Sequence, residues 1–242
     1  MIIYRDVLQV LDLEQLMVAD FDLTADNPET DDLDLILRPI DVSSGVNANK
    51  YGYALWIPDA GANPLFYPYV ALVRYEPPYQ DGSDTLDYLI GGISKGSGDG
   101  KVKSEDVTGL AVWDGGGDNN LLIAVSEGGD TEEVEIFSAD YVGNPEGLFT
   151  PVATISGFVG TPIDVAVLPV GDAGFEDENL IVILTEMKTI EAYTFSGEFV
   201  ESYFDPDAFP STPKHMDVDT ENLRIHVLMD GAVASVIEYT AD

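Results

Sequence analysis

Pro162-Ile-Asp-Val-Ala-Val-Leu168, Asn179-Leu-Ile-Val-Ile-Leu184, Thr189-Ile-Glu-Ala-Tyr-Thr-Phe195 and Glu198-Phe-Val-Glu-Ser-Tyr203 follow one another along the chain. Each is short, and together they are rich in β-branched and aromatic residues. Turn-forming residues bound them: a Gly/Asp/Glu loop after the first segment and Ser196-Gly197 before the last. That combination predicts four strands joined by tight turns. The near-continuous apolar run in Leu180–Leu184 is what a strand packed on both faces requires. The unit therefore reads as an inner strand, two middle strands and an outer strand.

The same order recurs on both sides. Upstream, Val107-Thr-Gly-Leu-Ala-Val-Trp113 leads through an Asp/Gly/Asn loop to Asn120-Leu-Leu-Ile-Ala-Val125, then to Glu133-Val-Glu-Ile-Phe137 and Phe149-Thr-Pro-Val-Ala-Thr-Ile155. Downstream, Pro213-Lys-His-Met-Asp-Val218, Asn222-Leu-Arg-Ile-His-Val-Leu228 and Ala234-Ser-Val-Ile-Glu-Tyr239 make three strands, one short of the pattern. The first half is less regular. Val18–Leu23 and Leu33–Leu37 read as the first two strands of another unit. Tyr53–Ile57, Tyr69–Tyr75 and Thr85–Ile90 read as strands of one more. Asp6–Leu16 admits both a helix and a strand running into a turn.

One middle strand per unit, centred on Leu35, Ala71, Leu122, Ile181 and Ile225, gives spacings near the ~40 to 50 residues of a propeller blade. The expectation is an all-β chain forming a single β-propeller over residues 1–242, with about five four-stranded blades. Four blades with a long insertion is the alternative. The N-terminal strand, residues 2–8, is expected to complete the last blade begun at about residue 209, closing the ring and leaving only short sheet edges. Pro162-Ile-Asp-Val-Ala-Val followed by Leu180-Ile-Val-Ile-Leu resembles the NHL type of propeller repeat, over roughly the last 135 residues. Val18-Ala-Asp-Phe-Asp-Leu-Thr-Ala-Asp26 with Asp32-Leu-Asp-Leu-Ile36 resembles an FG-GAP repeat of the integrin α type. That resemblance implies a calcium-binding loop between two strands, with Asp20, Asp22, Asp26 and Asp34 as ligands. Residues are inserted after Asp26, and the usual loop glycine is missing.

Composition narrows the function classes. Hydrophobic residues make up 45% of the chain, which is enough for a folded core. The formal charge is −35, from 45 acidic and 10 basic residues. Such a surface repels nucleic acid and anionic membranes, because binding there needs Lys and Arg to displace counterions. It also repels itself, so it calls for high salt, bound divalent cations or a basic partner. Cysteine is absent, which removes disulfides and thiolate chemistry. No run approaches the roughly 18 to 20 apolar residues of a membrane span. The first residues lack a basic region followed by a long apolar stretch, so the expectation is that a secretory signal is absent or already removed.

Catalytic motifs are weak. Lys95-Gly-Ser-Gly-Asp-Gly-Lys-Val-Lys-Ser-Glu-Asp106 resembles an EF-hand or dockerin calcium loop, yet Lys95 stands at the first ligand position. It reads as a flexible Gly-rich loop whose lysines are solubilising or offer a docking spot. Gly92-Ile-Ser94-Lys-Gly96 matches Gly-x-Ser-x-Gly, but the glycines that follow do not open a helix. Gly100-Lys101 precedes Val102, where a phosphate loop needs Ser or Thr. Asp114 and Asp118 occupy another acidic loop. The two histidines, His215 and His226, cannot assemble a three-histidine metal centre; as lone strand histidines they read as core residues. Paired carboxylates for glycoside hydrolysis are too numerous to select among. The aromatic segment 51–79, with Tyr53, Trp56, Tyr67 and Tyr69, offers either a sugar- or protein-binding face or packing between sheets.

These features lead to the expectation of a non-enzymatic structural or interaction module. It would present a rigid acidic surface to a protein partner, within a larger virion or extracellular assembly. The alternatives are a carbohydrate-binding lectin or glycoside hydrolase, and a calcium-stabilised adhesion module.

Overall fold

The structure is a computed structural model. It describes residues 2–4, 7–12, 17–22, 37–43, 51–58, 69–74, 86–91, 96–98, 101–104, 106–114, 121–139, 150–170, 179–204, 209–219, 222–230 and 233–238, with the backbone alone before residue 90. Among these residues every regular element is a strand, every strand pairing is antiparallel, and no sheet closes into a barrel. No helix among them is long and apolar enough to cross a membrane.

Three four-stranded sheets run in chain order. The first comprises β4 (Leu37–Ser43), β5 (Tyr51–Pro58), β6 (Tyr69–Arg74) and β7 (Leu86–Gly91). The second comprises β8 (Val107–Asp114), β9 (Leu121–Glu127), β10 (Glu133–Ala139) and β11 (Thr150–Ser156). The third comprises β12 (Pro162–Leu168), β13 (Leu180–Thr185), β14 (Thr189–Thr194) and β15 (Phe199–Phe204). Two sheets have three described strands: β1 (Ile2–Tyr4), β2 (Val7–Asp12) and β3 (Met17–Asp22), and β16 (Pro213–Asp219), β17 (Arg224–Met229) and β18 (Val233–Glu238). The first strands of successive sheets lie together, β4 against β8, β8 against β12 and β12 against β16.

The apolar runs now have a physical cause. Successive side chains of a strand point to opposite faces. In the third sheet Val165, Val167, Ile181, Ile183 and Tyr193 pack with Trp113, Val134 and Ile136 of the second. Their neighbours Ala166, Leu168, Leu180, Val182, Leu184 and Ile190 pack with Met216, Ile225 and Val227 of the last. Both faces are covered, so no position of β13 is left for a polar residue until Thr185, itself buried.

Each of the first strands β4, β8, β12 and β16 carries a bulge at one register position, at Pro39/Asp41, Val107/Gly109, Pro162/Asp164 and Pro213/His215. A bulge bends its strand and sharpens its twist, so the same deformation is repeated from sheet to sheet. A second repeated feature ties each hairpin turn to the linker before its own sheet. Gly128 N–H donates to Asp106 C=O (2.6 Å), Glu186 N–H to Thr161 C=O (2.9 Å) and Asp230 N–H to Thr212 C=O (2.9 Å).

The described residues of the N-terminal part form a meander of their own. Ile2–Tyr4 pairs with Val7–Asp12, and that strand pairs with Met17–Asp22. A hairpin between adjacent segments costs far less chain entropy than joining segments at opposite ends of the sequence. Val18–Leu23 corresponds to β3, which pairs with β2 in this meander. Residues 33–36 lie outside the described residues, and Leu37 opens β4, the first strand of the sheet that holds Tyr53–Ile57. Asp6–Leu16 contains the strand β2.

Gly109 is where β8 approaches β12. A Cβ there would meet Asp164 Oδ1, and Asp164 Cα at 2.9 Å. The substitution Gly109→Ala is expected to destabilise the chain by about 1–3 kcal/mol through overpacking, read as a lower urea midpoint. A change within about 0.5 kcal/mol, the usual range for a surface position, would mean that this approach is not a tight contact.

Candidate functional site

Two of the buried polar clusters among the described residues join a carboxylate to a lysine or a histidine. The first is built by the segment leading into β8. Gly96 and Gly98 adopt φ values of 140° and 119°, a region that side chains rarely enter. The chain thereby turns back, and Gly96 N–H reaches Val102 C=O at 2.8 Å. Val102 is fully buried, and the following residue projects onto the hairpin of β9 and β10. Lys103 Nζ pairs with Glu133 and, at 2.8 Å, with Glu135, while Lys103 N–H donates to Glu127 Oε1 at 2.9 Å. Ser104 Oγ donates to Gly128 C=O at 3.2 Å and accepts from Asp106 N–H at 3.0 Å.

Glu127 and Glu133 are cross-strand partners, and Glu135 lies two residues along β10 on the same face. Glu127 is 0% exposed and Glu135 is 2% exposed. Burial pushes the Glu127 carboxyl up to about 7, against the Lys103 N–H bond that favours its anion. Glu135 is raised for the same reason, against its contact with Lys103. Burial alone would lower Lys103, but hydrogen bonds and charge from Glu133 and Glu135 outweigh it and leave the ammonium stabilised.

The next sheet shows what ordinarily fills this position. Pro162 pairs with Thr185 as Val107 pairs with Glu127, so Thr185 stands where Glu127 does. By the same register Thr189 corresponds to Glu133 and Glu191 to Glu135. Thr185 and Thr189 hydrogen-bond through their hydroxyls. Glu191 accepts from Val159 N–H at 3.0 Å and from the Tyr193 hydroxyl at 2.8 Å. Burial, with the adjacent Glu191, raises the Tyr193 phenol. One carboxylate held by neutral donors has become three carboxylates and a lysine.

The second cluster joins three first strands. Asp164 Oδ1 accepts from Val165 N–H at 2.8 Å, and Oδ2 accepts from Met216 N–H at 2.6 Å. His215 Nδ1 lies 3.6 Å from Oδ2, with the imidazole 52% exposed and the carboxylate 3% exposed. Burial pushes Asp164 up, against the pull of His215 and of the two backbone donors. Gly109 packs against it from β8. The arrangement can hold a histidine at the surface in one orientation, and it fixes β16 to β12.

The structure places the sequence candidates as follows. Asp20 and Asp22 lie in β3, while Asp26 and Asp34 fall outside the described residues. Tyr53 and Trp56 lie in β5 and Tyr69 in β6, where Trp56 and Tyr69 are register partners; Tyr67 falls outside the described residues. Asp114 ends β8, and Asp118, Ser94 and Lys95 fall outside the described residues. His215 and His226 are both exposed, not core residues, because they fall on the face of β16 and β17 opposite Met216, Ile225 and Val227. Lys103 is not a solubilising loop residue but the cation of a buried cluster. No group of three or more His, Asp or Glu suited to a metal ion occurs among the described residues. No protein-family model matches the chain, and the comparison with curated proteins found no match.

Asp164→Asn turns an NH2 group toward one of two backbone donors and leaves that buried N–H unsatisfied. A loss of about 2 kcal/mol in unfolding free energy is expected, with His215→Ala costing well under 1 kcal/mol. Equal losses would show that the histidine contact, not the backbone contacts, is what Asp164 provides.

Proposed function

We propose that the chain is a β-propeller of about five blades that serves as a non-enzymatic structural and interaction module for a protein partner. The propeller reading is supported by the serial packing of β4, β8, β12 and β16, by their shared bulge and by the two-sided burial of the third sheet. Repeated meanders that meet along their first strands fit radial packing.

The interaction reading is carried by β15. This strand is last in its sheet among the described residues, and Phe199 and Val200 on it are 57% and 45% exposed. Exposed apolar residues on a terminal strand are ordinarily masked by Lys or Pro. Here the exposed neighbours are Glu198, Glu201 and Ser202. An extended, basic, apolar-alternating segment fits such an edge by adding a strand, with backbone bonds giving affinity and charge giving selectivity. The carbohydrate reading keeps one supporting observation, the register pairing of Trp56 with Tyr69.

Titration with a synthetic peptide of alternating Lys and Val, followed calorimetrically, tests the proposal. Micromolar binding that Val200→Pro abolishes is expected, because proline removes a donor and breaks the edge. Retention on a glycan array without peptide binding would overturn it in favour of a lectin.

Thermal unfolding in chelator, in millimolar calcium and in molar potassium chloride separates the remaining explanations of the charge. An upward shift in molar salt alone is expected for a screened acidic surface. A shift in calcium but not in matched magnesium would instead support ligation by Asp20, Asp22 and Asp26.

A further inference from the structure

Glu127 and Glu135 each keep one oxygen, Oε2, buried without a hydrogen-bond partner. Leaving two such atoms unsatisfied in an interior is costly, and more so when both belong to anions. The charges around them do not balance. Lys103 is the cation of the cluster, and its ammonium already bridges Glu133 and Glu135 Oε1. Glu127 has only a backbone N–H, at its other oxygen. A proton on Glu127 lessens the deficit, since it turns an acceptor into a donor beside the Glu135 carboxylate, whose anion a hydrogen bond from Glu127 favours. The corresponding position of the next sheet needs none, because Thr185 and Thr189 supply their own hydroxyl protons.

We propose that Glu127, Glu135 and Lys103 form a proton-operated clasp that fastens residues 101–104 to the β9–β10 hairpin and lets them lift when Glu127 loses its proton. Glu135 and Glu133 from β10 and Lys103 from the segment are the charged groups acting on Glu127. With Glu127 ionised, three carboxylates share one ammonium. Lifting the segment returns the carboxylates to water, which relieves both their repulsion and their desolvation. The segment is suited to this movement. Among the described residues its polar fastenings to the hairpin are the Lys103 and Ser104 contacts and the Gly128–Asp106 backbone bond, Val102 beside them is buried, and Gly96 and Gly98 give it a hinge.

The sign follows from the raised carboxyl. The folded protein holds the Glu127 proton up to about pH 7, whereas the unfolded chain releases it near the ordinary value of 4.5. The stabilisation is therefore complete below 4.5 and is lost as pH rises through about 7. This is opposite to the behaviour of a carboxylate in a favourable salt bridge.

Amide hydrogen exchange on the whole chain, corrected for intrinsic rates, tests the clasp at about pH 6 and about pH 8. Protection of the Lys103 amide is expected to fall at least about tenfold at the higher pH, with the Thr185–Thr189 turn unchanged. Glu127→Gln keeps the carbonyl for Lys103 N–H and offers an amide donor to Glu135. Its protection at Lys103 is expected to be the same at both pH values. Equal protection in the wild-type chain at both pH values would overturn the proposal. So would a parallel loss at both hairpins, which would point to general charge repulsion, or an undiminished pH dependence in Glu127→Gln. Should that variant fail to fold, the two hairpins of the wild-type chain still decide the matter.

Discussion

The contact of Asp164 with the two first strands beside it governs how the described sheets are assembled. Its carboxylate takes backbone donors from its own strand and from β16, and its Cα and side chain lie over Gly109 of β8. Hydrophobic burial between sheets is strong but non-directional, so it does not by itself set which residues face each other. A buried carboxylate with two backbone donors does set this, because displacing β16 by one residue would strand Oδ2. Beyond that junction, apolar side chains pack on both faces of β12, β13 and β14, and the described side chains of β15 are exposed.

The two polar clusters use acidic residues in opposite ways. Asp164 is surrounded by donors. Glu127 and Glu135 are short of them, which is what makes protonation part of their structure. The high acidity of the chain is therefore not confined to a solvated surface. Some of it is placed where the protein interior must either neutralise it or move.

Much of the strand order was legible from residue 107 onward, because two-sided burial writes itself into sequence as unbroken runs such as Leu180–Leu184. Expected and observed boundaries there differ by a residue or two. The first half was harder. β4 contains Arg38, Pro39 and Asp41 in a seven-residue strand, and that composition conceals it. The local pairing of Ile2–Tyr4 with β2 was not legible, because an apolar strand does not announce its neighbour. The Lys103 cluster was not legible at all. Its residues are separated by up to 32 positions, and every one is a common surface type in an acidic chain. One signal was present. Glu133 and Glu135 alternate with Val134 and Ile136 on a strand expected to be covered on both faces, so they had to be buried or paired.

The repeated bond between each hairpin turn and the linker before its sheet bears on how the molecule forms. Every partner in those bonds lies within the same repeat, as do the pairings inside each meander. Loops of this length close quickly and at small entropic cost. Each meander is thus able to take shape while its neighbours are still being made, and the residues that commit one to the next, Gly109, Asp164 and Met216, are engaged only on docking. Synthesis from the N-terminus would present Asp164 without Met216 until some fifty further residues have emerged. A buried carboxylate waiting for its donor is a natural checkpoint against premature closure between the wrong pair of sheets.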